Sequence, residues 1–209
     1  MKTLAIIGSG VLGIQVAHYA INDHHYKNVV FIDDFSAEKE VAGIPIIGKV
    51  SDVIKLYKEK LFDEILLCIG YNHLDKKKEL FEKLRGIIPF GQIIHSTSWI
   101  DRTVKLGQGI IIYPGCSIDF EATLEDNLVV TNSCTIAHNS VIGAHCFLSP
   151  RVAIAGFVSV GEKCIIGINA TIIDNITIIS KTQVGGGTVV VKNIEKSGLY
   201  VGNPQRFIR

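Results

Sequence analysis

From residue 94 to residue 190 every sixth position is aliphatic, without exception. The series begins Ile94, Ile100, Leu106, Ile112, Ile118 and Leu124. It continues through Val130, Ile136, Ile142, Leu148, Ile154 and Val160 to Ile166, Ile172, Ile178, Val184 and Val190. Four residues after most of these the side chain is small or β-branched, as at Val104, Cys116, Ala122, Cys134, Ser140, Cys146, Val158, Cys164, Ala170 and Thr182. An amphipathic helix repeats at about 3.6 residues and a strand at about 2, so a strict six belongs to neither alone. It fits flat faces of six residues, three to a turn, coiled into a parallel β-helix of about five turns. The aliphatic residue of each face then points inward and stacks on its equivalent in the next coil. Cys116 and Cys134 are one coil apart, as are Cys146 and Cys164, which predicts stacked, buried thiols.

The rest of the composition excludes several classes. Formal net charge is +1 over 209 residues, which offers no basic field for nucleic acid. Although 47% of residues are apolar, no window approaches the ~18 uninterrupted apolar residues of a membrane span. The start, MKTLAIIGSGVLGIQVAHYA, has the outline of a signal peptide but no small-x-small cleavage site. Five cysteines, an odd number with no CxxC, argue against a disulfide framework and fit a reducing cytoplasm.

The first ninety residues lack the six-residue period. LAIIGSGVLGIQVAHYAI reads as strand, glycine turn and helix, with Gly8, Gly10 and Gly13 in a G-x-G-x-x-G pattern. The next strand, VVFIDDF, ends in Asp33 and Asp34, about 20 residues after Gly13, where nucleotide-binding α/β units place an acid for ribose. Further strand and helix patterns follow in GIPIIGKVSDVIKLYKEK, DEILLCIGYN and KKKELFEKLRG, the last with a lysine run expected to face solvent. The pattern stops near residue 90. That leaves one mononucleotide-binding half instead of two, so nucleotide binding is expected and dinucleotide redox chemistry is not. The expected boundaries are an α/β half-Rossmann domain over 1–92 and a β-helix over 93–209.

A small half-Rossmann domain followed directly by hexapeptide repeats resembles, over essentially the whole chain, the bacterial sugar O/N-acyltransferases. That group includes sialic acid O-acetyltransferases and 4-amino-sugar N-acetyltransferases. The match is carried by GSGVLG (8–13), FIDD (31–34), IGYN (69–72), IAHNSVIGAH (136–145), AGFVSVG (155–161), GINATII (167–173), VGGGTVVVKN (184–193) and VGNP (201–204). The resemblance implies a left-handed β-helix, a cytoplasmic homotrimer, and acyl-CoA sites in grooves between subunits. It further implies that the N-terminal domain grips a nucleotide-linked sugar, and that no metal takes part. Residue by residue, it places the general base at His138. Nucleotide-sugar contacts fall on Gly10, Asp33, Asp34, Gly70 and Asn72. The pantetheine arm lies along Gly156, Gly185 and Gly186. Apart from the resemblance, Lys192 is a candidate to meet CoA phosphates, its alternative being a plain surface charge.

The chain departs from the family pattern at four places. Asn139 follows His138 where the family has an acid, Phe147 stands where the family has a second histidine, Leu12 replaces a loop histidine, and Gln205 replaces an alanine.

His138 lies two positions, and His145 three positions, after an inward isoleucine, so both are expected to point outward. An imidazole, titrating near neutrality, suits a base that takes a proton as nitrogen or oxygen attacks a thioester. With no carboxylate next to it, His138 must be oriented by Asn139 or by another part of the assembly. His145 gains no role from the resemblance and is expected as a surface or structural imidazole. The leading expectation is acetyl transfer from acetyl-CoA to the amino group of a nucleotide-linked amino-deoxysugar. Sugar O-acetylation is the sister reading. A β-helical zinc hydratase using His95, His138 and His145, and a non-catalytic scaffold, are the readings from other classes.

Overall fold

The computed structural model describes residues 2–209, which divide into two compact units, the first ending at Ile93 and the second running from Ile94 to Arg209.

The first unit is a five-stranded sheet in the order β3-β4-β2-β1-β5, built from β1 (Thr3–Ile7), β2 (Asn28–Ile32), β3 (Glu40–Val41), β4 (Ile44–Gly48) and β5 (Glu64–Leu67). β1, the central strand, pairs in parallel with β2 and β5; only the short β3–β4 hairpin is antiparallel. Helix α1 (Val11–Asn22) links β1 to β2, α2 (Val53–Lys58) links β4 to β5, and α3 (Leu74–Leu84) follows β5. Leu4, Ala5, Ile6 and Ile7 of β1 are all buried, the continuous apolar run of a strand covered on both faces. In α3 the buried stripe is Leu74, Lys77, Leu80, Phe81 and Leu84. The lysine run is therefore not one solvated face. Lys77 occupies an apolar-stripe position and is 1% exposed, because helical spacing sets burial before residue type does. Its ammonium lies close enough to Cys68 to oppose the burial that pushes that thiol up to about 12.

The second unit is a three-faced parallel β-helix. Two-residue strands form three sheets, each rung pairing in register with the residue eighteen positions on, as in Ser117↔Thr135, Thr123↔Val141 and Val129↔Phe147. The second residue of each rung is the aliphatic one, and from Ile112 to Val190 all are buried in one continuous core. Ile94, Ile100 and Leu106, in the first coil, are only partly buried, since no earlier coil of the β-helix precedes them.

The corners have a rule of their own. From Gly109 to Gly187 every sixth residue has a positive φ, and eleven of these corner residues, from Glu121 to Lys181, are not glycine. Each such corner costs about 1 kcal/mol or more in backbone strain. The ladder of coil-to-coil hydrogen bonds holds them, as where Asn139 N–H donates to Phe120 O and Phe157 N–H to His138 O. The small residue after each corner frequently donates to a carbonyl fifteen residues on. Cys116 Sγ donates to Thr131 O, Cys134 to Ser149 O, Ser140 Oγ to Ala155 O, Cys146 to Gly161 O and Cys164 to Ile179 O. Cysteine and serine are thus interchangeable here as small donors to a carbonyl in the next coil. All five cysteines are buried free thiols.

At the C-terminus, Leu199–Val201 and Arg206–Phe207 extend one sheet. Gln205 fastens them: its side chain accepts from Val191 N–H and donates to Lys192 O.

Candidate active site

Two regions of the chain gather the residues expected to carry chemistry, one in each unit.

In the α/β unit, the strand ends of β1, β2 and β5 open into a cleft of about 370 Å³. Its lining includes Gly8, Asp33, Asp34, Phe35, His73 and Lys76. The glycines divide by role. A Cβ on Gly13 would fall 1.9 Å from Gly8 O, and one on Gly8 would fall 2.8 Å from Cys68 O, so both are required by packing. Gly10 would meet nothing within 4 Å. It caps α1 with no side-chain cap bond, leaving the first-turn amides of the helix available. Gly70 is likewise open, and Asn72 is exposed on the short turn that Gly70 begins.

The two aspartates are not equivalent. Asp33 accepts four bonds: from Ser9 N–H and Oγ–H at one oxygen, and from Phe35 N–H and Ser36 N–H at the other. Burial pushes its carboxyl up, but the bonds from Ser9, Phe35 and Ser36 outweigh this and hold it below its ordinary value. Asp33 therefore ties the glycine turn to the end of β2. Asp34 accepts from Val50 N–H at Oδ1 and keeps its second oxygen outside that contact. Phe35, His73 and Lys76 have no signal of their own in the sequence. Phe35 is 98% exposed, an unusual position for a phenylalanine at the mouth of a cleft.

In the β-helix, His138, Asn139 and Gly156 come together at one edge of the coil. The His138 ring lies against Gly156, where a Cβ would sit 2.6 Å from Cε1 and 2.8 Å from Nε2. That ring and the Phe157 ring make a T-shaped contact, centroids 5.1 Å apart and planes at 85°. His138 Nδ1 is 3.1 Å from Asn139 Oδ1, and Asn139 Nδ2 donates to Glu121 Oε2 at 2.8 Å. A proton on Nδ1 directed at that amide oxygen would leave the imidazole lone pair at Nε2, the tautomer a general base requires.

Gly185 and Gly186 follow the rung Gln183–Val184, on a different face from the rung Thr135–Ile136 that precedes His138. Within one chain they belong to another corner. Gly185 packs against Val201, and Gly186 against Ile168. Lys192 is exposed and follows Val189–Val190, a rung of the His138 face.

His145 does not point outward. It is 3% exposed, at a positive-φ corner, with Nδ1 2.9 Å from the Asn127 amide nitrogen one coil below. Strand alternation does not carry past a corner. There the side chain lies along the stack, between equivalent positions of the neighbouring coils. Among the described residues no three His, Cys, Asp or Glu side chains form a group able to hold a metal ion, and no helix is long and apolar enough to cross a membrane.

Comparison with known proteins places this geometry in context. Residues 3–84 match the PglD N-terminal domain family. The acetyltransferase domain of PglB from Neisseria gonorrhoeae, solved with acetyl coenzyme A, is 25% identical with a TM-score of 0.92, over 99% of both chains. PerB from Caulobacter crescentus, solved with CoA and GDP-perosamine, is 28% identical with a TM-score of 0.90, over 100% of this chain and 98% of that one. WeeI from Acinetobacter baumannii shares the fold at 21% identity and a TM-score of 0.84, over 100% of both chains. No curated protein sequence matches the chain. Residues 3–84 therefore form a domain of the PglD N-terminal type, and along its full length the chain is similar to solved acetyltransferases.

Proposed function

We propose that the protein transfers acetyl from acetyl-CoA to the amino group of a nucleotide-linked amino-deoxysugar, with His138 as general base. The neutral amine attacks the thioester carbonyl, forming the C–N bond. Nε2 of His138 takes the proton that nitrogen releases. The C–S bond then breaks, and the imidazolium returns the proton to the CoA thiolate. The observation that carries this reading is the fixed His138 ring. It rests against Gly156 and is bonded through Nδ1 to Asn139, leaving Nε2 without a hydrogen bond among the described residues.

The cleft of the α/β unit suits the nucleotide. The uncapped start of α1 beside Gly10 offers amides to phosphate, Asp34 offers an acceptor to ribose, and Lys76 adds a cation. Asp33 shapes this site from within, while Gly70 and Asn72 border it. CoA suits the β-helix, where the exposed backbone at Gly186 and the Lys192 cation would follow pantetheine and phosphate. Because Gly185 and Gly186 sit at a different corner from His138, one chain holds only part of this site. A homotrimer in which one subunit's corner meets its neighbour's would complete it. PerB, with CoA and GDP-perosamine bound, supports the amine over a hydroxyl as acceptor.

Replacing His138 with Ala tests the assignment. The expected loss in kcat/KM is about 10²–10⁴ with the acetyl-CoA KM unchanged. A loss below about threefold removes His138 from the role.

A further inference from the structure

Where relatives of this chain are expected to carry an acid beside the base, it carries Asn139, yet a carboxylate is present one coil earlier. Glu121 and Asn139 are eighteen residues apart at the same corner, both with positive φ, of 55° and 57°. Rungs of a parallel stack are about 4.8 Å apart, so corner side chains in successive coils are direct neighbours. Glu121 is held from below as well. Its N–H donates to Thr103 Oγ1, whose hydroxyl donates to Asp101. The chain of contacts runs Asp101, Thr103, Glu121, Asn139, His138 along one edge of the β-helix.

We infer that Glu121 is a positioning residue that sets the tautomer of His138 through Asn139. A carboxylate can only accept, so the Asn139 atom facing Glu121 Oε2 must be the NH₂ group. The other end of the same amide, facing His138, must then be its oxygen. That oxygen also only accepts, so Nδ1 of His138 must carry the proton and Nε2 the lone pair. The charge on Glu121 thereby decides which imidazole nitrogen is basic, without touching the ring. Without Glu121, the Asn139 amide could turn over, donate to Nδ1 and stabilise the opposite tautomer, which has no lone pair at Nε2. The consequence for catalysis rests on His138 being the base; the effect on the tautomer does not.

Two readouts keep these apart. Imidazole ¹⁵N chemical shifts, recorded above the histidine titration range with the His138 signal assigned by its loss in His138→Ala, report the tautomer directly. The expected result is Nδ1–H in the native protein, a mixture in Glu121→Ala, and Nε2–H in Glu121→Lys, where a donor replaces the acceptor. Acetyl transfer should fall about tenfold in kcat for Glu121→Ala and about 10²-fold for Glu121→Lys, with substrate KM values little changed. Adding Asn139→Asp to Glu121→Lys should restore both the Nδ1–H tautomer and most of kcat, because the carboxylate so introduced accepts from Nδ1–H by itself.

An unchanged tautomer in both Glu121 variants overturns the inference, whatever the activity. So does a kcat loss that Asn139→Asp fails to rescue. If His138→Ala keeps full activity while the tautomer follows residue 121, the base assignment fails and the positioning effect stands.

Discussion

The two units make their tight turns and close backbone approaches in opposite ways. In the α/β unit the close approaches are made by glycine: Gly13 and Gly8 touch backbone carbonyls at distances no Cβ could share, and Gly10 is left open. In the β-helix, corners that glycine would favour are mostly occupied by Glu, Asn, Ser, His, Arg, Phe and Lys. The strain of each corner is held by repeated ladder bonds, and in return each corner presents a side chain. Glu121, Asn139 and Phe157 are three such residues in successive coils, and all three surround or support His138. The α/β unit leaves backbone open at its cleft; the β-helix presents side chains in register.

That contrast can be broken first at the core of the β-helix. Ile154 is 1% exposed and pairs in register with Ile136 and Ile172. Ile154→Ala should cost about 2–5 kcal/mol. Urea unfolding followed by Trp99, the single tryptophan and a residue of the β-helix, should register that loss. An insensitive Trp99 transition would show that the coils do not unfold as a coupled stack.

A smaller and more local effect is expected at Gly156, where the β-helix does use a glycine for close approach. Gly156→Ala puts a methyl 2.6 Å from the His138 ring, which must then move. Steady-state kinetics should show kcat down by about 10–100-fold with stability nearly native, since small displacements of a base are costly. Unchanged kcat would mean the ring's place against Gly156 is irrelevant to the reaction.

The smallest effect belongs to the glycine turn of the α/β unit. Asp33 has a folded-state pKa below its unfolded one, so its contribution to stability is present above the unfolded value of about 3.9 and is lost as pH falls through the lower, folded value. Denaturation midpoints of Asp33→Asn should therefore lie below those of the native protein at neutral pH and converge with them in acid. A gap that persists at the lowest pH would show that the carboxylate charge is not what ties Ser9 to the end of β2.

Much of this is legible in the sequence, for reasons that differ between the units. A strict six-residue period fixes inward residues, coil spacing and partners at once, so the stacked cysteines and the buried aliphatic column can be read directly. The glycine fingerprint likewise fixes the strand-turn-helix at the start. Side-chain direction at corners is not legible, since the alternation that predicts it in a strand ends there; His145 is buried against expectation on that account, packed along the stack at Asn127. Lys77 is buried against expectation because its place in a helical stripe outweighs its residue type. Glu121 carries no local motif, since its importance comes from a partner eighteen residues away. Asp33 and Asp34 look alike in sequence, and only the four bonds to Asp33 separate a structural acid from an available one.

The most direct measurement is thiol release from acetyl-CoA by the purified protein, across a panel of UDP-, dTDP- and GDP-linked 4-amino and 3-amino deoxysugars, with sialic acid as a hydroxyl acceptor. The account predicts release with at least one nucleotide-linked amino sugar, and its loss in His138→Ala. Release with sialic acid alone, or no release with any amino sugar while CoA still binds, would contradict it.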